Sequence, residues 1–115
     1  MVRHGPPGWR NWAGTYAVTP ARLSYPGSAA EVADEVRQAA QDELSVKPVG
    51  AGYSSNDIAM TRGVMLDLSR LAGVLSADKQ TGLVTVGAGT TLRDLNRDLW
   101  KLGLSLSCLG NLDAA

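Results

Sequence analysis

The sequence of 115 residues contains one cysteine, one histidine and no phenylalanine, and its formal net charge is zero. One cysteine cannot form a disulfide within the chain, which fits a reducing compartment. The N-terminus carries no apolar signal region, and no apolar run approaches the ~18 residues of a membrane span. A balanced charge argues against nucleic acid or anionic lipid as a partner. These absences predict a cytoplasmic protein with no membrane span and no nucleic-acid partner.

The length fits one domain or part of one, and an apolar fraction of 44% allows a packed core. Residues 1–8 include Gly5-Pro6-Pro7-Gly8 and are predicted to form a flexible arm. His4 lies in that arm without neighbouring ligands, so neither a catalytic nor a metal role is expected for it. Residues 9–115 are predicted to form the folded part.

A glycine turn at residues 50–54 is the feature around which the chain is organised. A β-branched run ends at Gly50-Ala51-Gly52, and Tyr53, Ser54 and Ser55 follow. Glycine permits positive φ and close approach, successive N–H groups form a nest for a phosphate oxygen, and serines add hydroxyl donors. No Walker-type lysine follows, so a nucleoside triphosphate is not expected. The pattern predicts a phosphate-binding turn, and a tight turn without a ligand is the alternative.

Two amphipathic helices are predicted from capping boxes, in which a hydroxyl residue stands three positions before an acidic one. Ser28 and Glu31 begin the first, whose predicted apolar face is Val32, Val36, Ala39, Ala40 and Leu44. Thr91 and Asp94 begin the second, with Gly103 as its stop and an apolar stripe of Leu92, Leu95, Leu99 and Leu102. The charges between these positions are typical of a solvated face and require no acid–base role.

Strands are predicted at residues 16–19, 64–68, 75–78 and 83–86, with turn chemistry at 79–82 and irregular structure at 56–63. The last three strands are expected to form a meander. The prediction is an α+β fold with two helices against a small mixed sheet. Trp9 and Trp12 are expected to pack in the core, although their indole N–H groups could instead serve at a ligand edge.

A second glycine turn, Gly87-Ala88-Gly89, opens onto Thr90 and a capped helix. It is a rival phosphate site because helix N-termini attract anions. The first turn is preferred because serines follow it. Near the other end, Cys108 has no basic neighbour in sequence to lower its pKa, so a buried structural thiol is predicted. The chain stops in a polar segment without a closing element, which suggests a fragment.

Six motifs occur in the order seen in sugar-lactone oxidases: residues 9–14, the helix after Ser28, and residues 49–54, 64–68, 84–89 and 104–110. The chain resembles the N-terminal part of the PCMH-type FAD-binding domain of the vanillyl-alcohol-oxidase-like superfamily. Within it, the chain is most similar to L-gulono-1,4-lactone and D-arabinono-1,4-lactone oxidases or dehydrogenases, with alditol oxidases close behind. The resemblance covers nearly all residues after Gly8, and the order of the motifs is more specific than any one of them.

The resemblance implies the FAD-binding portion of an oxidoreductase that acts on the CH–OH group of a sugar lactone or related polyol. It implies that Gly50, Ala51, Gly52, Tyr53 and Ser54 cradle the FAD pyrophosphate. It further implies that the stretch from Ser107 to Gly110 begins a second wall of the flavin site.

Tyr53 stands where many of these oxidases carry flavin covalently on histidine, so non-covalent FAD is expected. The rest of the FAD domain and the substrate cap are absent here, and no catalytic residue is expected within this chain. A truncated non-catalytic remnant is one alternative. An alditol oxidase-like flavoprotein, or a flavoenzyme for hydroxy acids or aromatic alcohols, is another; residues 9–14 favour the lactone and alditol branch.

Overall fold

The structure is a computed structural model that describes residues 8–54 and 56–108. Within these ranges the chain forms two helices and seven strands: β1 (Trp9–Arg10), β2 (Ala17–Val18), β3 (Arg22–Ser24), α1 (Ala29–Gln41), β4 (Val46–Val49), β5 (Val64–Asp67), β6 (Val74–Asp78), β7 (Leu83–Val86) and α2 (Leu92–Lys101). The predicted α+β class with two helices and small sheets is confirmed. The predicted arm, apart from Gly8, and His4 within it lie outside the described residues.

The central sheet is parallel, with β5 between β3 and β4. Val64, Met65 and Leu66 of β5 are buried, as expected for the middle strand of a parallel sheet, which is covered on both faces. The predicted meander is wrong, because β6 and β7 form a separate antiparallel hairpin. The continuous apolar run of β5 is typical of a strand buried on both sides, whereas a meander strand usually alternates.

Helix α1 begins as its capping box predicts. The Ser28 hydroxyl accepts the Glu31 N–H at 3.2 Å, and the Glu31 carboxylate accepts the Gly27 N–H at 2.6 Å. These bonds satisfy backbone donors that have no partner within the helix. The helix therefore starts at a point that local sequence determines.

The buried face of α1 differs from the predicted one. Ala39 packs with Val64 and Leu66, and Val32 and Leu44 pack partly against this cluster. Val36 and Ala40 are exposed, so the prediction is wrong at these positions. The reason is a polar contact toward the sheet: the Glu35 carboxylate accepts from Arg22 at 3.1 Å and from Ser24 at 2.7 Å, both on β3. The face of α1 that meets β3 therefore includes Glu35.

Helix α2 follows its prediction at both ends. The Thr91 hydroxyl accepts the Asp94 N–H at 3.2 Å, and Gly103 takes a φ of 72° immediately after the last turn. Leu99 is buried. The predicted cap, the stripe at its Leu99 position and the glycine stop are confirmed. No helix among the described residues has the length and apolar content needed to cross a membrane.

The turn between β6 and β7 is closed by Asp78, whose carboxylate accepts the N–H groups of Gln80 and Thr81. The hydrogen bond from the Gln80 N–H, and to a smaller extent the one from the Thr81 N–H, holds the pKa of Asp78 below its usual range. Gly82 completes the turn with a φ of 74°. The turn predicted at 79–82 is confirmed.

The segment after α2 is irregular as far as the structure describes it. Leu104 and Leu106 are half-buried, while Ser105 and Ser107 between them are exposed. Cys108 is exposed as well, so the predicted buried thiol is wrong. The alternation of half-buried and exposed residues ends at Leu106 and does not extend to Cys108.

Candidate functional site

The carboxyl ends of β4 and β5 lie side by side, with Val49 paired to Asp67. The first glycine turn begins at the next residue, Gly50. In parallel α/β sheets, ligands bind beyond the carboxyl ends of the strands. The parallel pairing therefore places the turn at the edge where a ligand site is expected.

The two glycine turns treated as rivals line one cavity of about 300 Å³ at this edge. Its lining residues are Gly50, Ala51, Asp67, Ser69, Ala88, Gly89, Thr90 and Thr91. A second cavity, of about 230 Å³, lies against the first turn and is lined by residues 48–54 together with Ala59. Gly50 and Ala51 belong to both, so the first turn separates two adjoining spaces.

Glycine occupies the two turns for different structural reasons. A Cβ added at Gly89 would lie 1.7 Å from the Leu68 carbonyl oxygen, and one at Gly87 would lie 2.1 Å from that of Leu71. Close packing of the backbone therefore accounts for glycine in the second turn.

Gly50 has no such explanation within the described fold. A Cβ added there meets no atom within 4 Å, and its φ is not positive. Gly52, by contrast, takes a φ of 80°, which favours glycine on conformational grounds. Gly50 therefore leaves open space beside the backbone that neither packing nor conformation requires.

The hydroxyl groups of the two turns also differ. The Thr90 hydroxyl donates to the Gly87 carbonyl at 2.6 Å and accepts the Gly73 N–H at 2.9 Å. The Thr91 hydroxyl donates a hydrogen bond to the Asp94 carboxylate and accepts one from the Asp94 backbone N–H. The Ser54 hydroxyl oxygen is buried and has no hydrogen-bond partner among the described residues. Buried polar groups are almost always paired, so Ser54 is the hydroxyl with capacity for a ligand.

Asp67 brings a negative charge to the shared cavity. One carboxylate oxygen accepts the Ser69 N–H at 2.9 Å. An ionised carboxylate accepts hydrogen bonds and repels phosphate, so this part of the cavity suits hydroxyl groups. Asp67 is not among the site residues predicted from the sequence. Parallel pairing of residues 46–49 with 64–67 would have placed it next to Gly50.

Tyr53 of the first turn contacts Trp12, and both aromatic side chains are exposed. Their ring centroids are 6.1 Å apart and the planes are tilted by 40°. Trp12 is 64% exposed, so core packing is the wrong interpretation for it. It lies in the turn between the short strands β1 and β2, where little of the fold can cover it. Trp9 is half-buried and lies beside Gly52.

The predicted second wall is not joined to this site in the described structure. Ser107 is exposed and lines neither cavity, and Gly110 lies outside the described residues. Their role stays a prediction. Residues 8–54 and 56–108 contain no group of three or more histidine, cysteine or acidic side chains placed to hold a metal ion.

Residues 20–113 match the family described as FAD binding domain. L-gulono-1,4-lactone dehydrogenase of Mycobacterium tuberculosis is 44% identical over 107 residues, which cover 93% of this chain and 25% of that protein. L-gulonolactone oxidase of Mus musculus is 43% identical over 102 residues, covering 89% of this chain and 23% of that protein. The chain therefore spans about a quarter of the length of the curated relatives it matches.

The fold recurs in cholesterol oxidase from B. sterolicum, with a TM-score of 0.80 and 17% sequence identity. The likeness covers 93% of this chain and 21% of the oxidase. At this identity it shows the arrangement of helices and strands alone. The same fold can therefore form part of a much longer polypeptide.

Proposed function

The chain belongs to the FAD binding domain family, and we propose that it is the FAD-binding portion of an oxidoreductase acting on the CH–OH group of a sugar lactone. The open space at Gly50 beside the unpartnered Ser54 hydroxyl carries the proposal, because it is a cradle that the fold itself does not use. Residues 9–115 would be an incomplete FAD-binding subdomain, since the relatives are about four times longer. A cytoplasmic location stays part of the proposal.

The residues of the first turn fit the pyrophosphate of FAD. Backbone N–H groups of the turn at Gly50 to Ser54 would face the phosphate oxygens, and the Ser54 hydroxyl would donate to one of them. Asp67, which also lines the shared cavity, would accept a hydrogen bond from a sugar hydroxyl of the cofactor. When bound, FAD supplies the hydride-accepting chemistry, and these residues bind and orient it.

Gly50→Val tests this assignment directly. A Cβ at this position meets no atom within 4 Å and the φ of Gly50 is not positive, so we expect the fold to be unchanged while the cradle is filled. We expect the Kd for FAD to rise about a hundredfold or more, the equivalent of about 3 kcal/mol. The measurement is FAD titration of the apo form of the complete gene product, with far-ultraviolet circular dichroism to follow the fold.

Gly8→Val is a matched control, because a Cβ at Gly8 makes only ordinary contacts of 3.6 and 3.9 Å and lies outside both cavities. It should leave the Kd for FAD unchanged. Unaltered FAD affinity in a folded Gly50→Val protein would remove the first turn from the cofactor site.

We expect FAD to be held without a covalent bond, because Tyr53 offers no imidazole nitrogen at the position of the usual histidyl linkage. Acid precipitation of the FAD-loaded gene product should leave the yellow colour in the supernatant. As a control, free FAD added to an unrelated protein should behave in the same way. A denatured protein mass raised by the mass of FAD would show that another residue forms a bond.

A sugar lactone is preferred over a polyol because the two relatives described above are both named for oxidation of L-gulonolactone. An alditol-oxidising flavoprotein is the second candidate. Dye reduction by the complete gene product, with L-gulono-1,4-lactone in one assay and an alditol in the other, distinguishes them.

A further inference from the structure

Asn11 is among the most buried polar residues of the described fold, with 2% of its surface exposed. It lies in the turn that joins β1 to β2. Its side-chain N–H groups donate to the Thr15 hydroxyl at 2.9 Å and to the Ser54 carbonyl at 3.0 Å. Its side-chain oxygen accepts the Tyr16 N–H at 3.1 Å. One amide thus closes its own turn and reaches a backbone group 43 residues away.

Two further contacts link the same N-terminal hairpin to the glycine turn. The backbone N–H of Trp12 donates to the Gly52 carbonyl at 3.0 Å. A Cβ added at Gly52 would lie 3.7 Å from the Trp9 ring. The turn at 50–54 therefore has carbonyls at both Gly52 and Ser54 fixed from outside. Turns with few such anchors have many accessible conformations, whereas a preorganised turn loses less entropy on binding a ligand.

We infer that Asn11 is a positioning residue for the cofactor: it fixes the backbone of Ser54, and with it the unpartnered Ser54 hydroxyl, in the conformation that receives the FAD pyrophosphate. The inference rests on the proposed function. Asn11 would not touch FAD. It acts through the Ser54 carbonyl. Among the described side chains, only the amide of Asn11 donates a hydrogen bond to that carbonyl.

Asn11→Asp breaks this link with almost no change of shape. The substitution replaces the amide N–H₂ by an oxygen, which then faces the Ser54 carbonyl, another acceptor. The Thr15 hydroxyl can rotate and donate to the new oxygen, so the hairpin contact survives. Thr15→Val is the matched control, because it removes the hairpin contact and leaves the bond to Ser54.

The experiment uses the apo form of the complete gene product and measures Kd for FAD and for ADP, with thermal unfolding of each apo protein. We expect Asn11→Asp to raise both Kd values about tenfold or more, and Thr15→Val to change them by less than about twofold. ADP carries the pyrophosphate without the flavin ring, so a loss of affinity for both ligands locates the defect at the turn. Asn11→Ala, which removes the donor without adding charge, replaces Asn11→Asp if the latter does not fold.

Three results would overturn the assignment of Asn11. One is an unchanged Kd for FAD in the Asn11 variants, and another is a loss restricted to FAD with ADP unaffected. The third is an equal loss in Thr15→Val, which would indicate a merely structural role for the hairpin. Failure of the unsubstituted protein to bind FAD would instead overturn the proposed function and this inference together.

Discussion

Gly89→Ala is expected to destabilise the fold by about 3 kcal/mol or more, at the upper end of the cost of overpacking. The added Cβ would lie 1.7 Å from the Leu68 carbonyl oxygen, so the backbone of one segment must move. That movement also disrupts the bond from the Gly89 N–H to the Leu71 carbonyl at 2.9 Å. Circular dichroism of the complete gene product should show thermal unfolding at a temperature lower by several degrees.

Gly50→Ala is the matched comparison, since it adds the same methyl group where no atom lies within 4 Å. It should unfold at nearly the unsubstituted temperature. The pair separates two reasons for glycine in the same cavity, backbone packing in the second turn and space for a ligand in the first. If Gly89→Ala were as stable as the unsubstituted protein and lost FAD, the second turn would become the better phosphate site.

Local chemistry accounts for what could be predicted from the sequence. The caps at Ser28 and Thr91 and the turn after Asp78 each depend on contacts within four residues, and all were predicted correctly. The glycine pattern at 50–52 is equally local. Its resemblance to flavin-binding turns agrees with the family that residues 20–113 match.

Pairing between distant segments accounts for the errors. The apolar run of β5 favours a strand buried on both faces, but the identity of its neighbours, β3 and β4, depends on pairing between distant segments. The exposure of Val36 follows from the bonds of Glu35 to β3, which helical periodicity cannot show. Asn11 and Asp67 were missed for the same reason, since the position of each in the site comes from a partner elsewhere in the chain.

The size of the cavity at the two glycine turns limits what this chain could bind by itself. The cavity of about 300 Å³ at the glycine turns is at the lower limit for ligand pockets. It suits part of a dinucleotide cofactor and leaves the remainder to other segments.

We therefore expect that the 115 residues alone oxidise no lactone, even with excess FAD. Catalysis requires the substrate carbon to be held against the flavin, and such positioning contributes roughly 7–11 kcal/mol in favourable cases. Its loss alone would slow turnover by about 10⁵-fold or more. The measurement is dye reduction with L-gulono-1,4-lactone and D-arabinono-1,4-lactone, using the purified chain beside the complete gene product.

If the complete gene product is active and the isolated chain is inactive, the result would support the proposal that this chain is the FAD-binding portion of an enzyme. If the gene product ends at Ala115 and is inactive, the non-catalytic remnant is the better interpretation, and FAD titration then shows whether it still binds flavin. The expectation is wrong if the 115 residues, with no other polypeptide present, reduce the dye in proportion to their concentration. In that case the substrate and the flavin would have to meet at the edge of the sheet formed by β4 and β5.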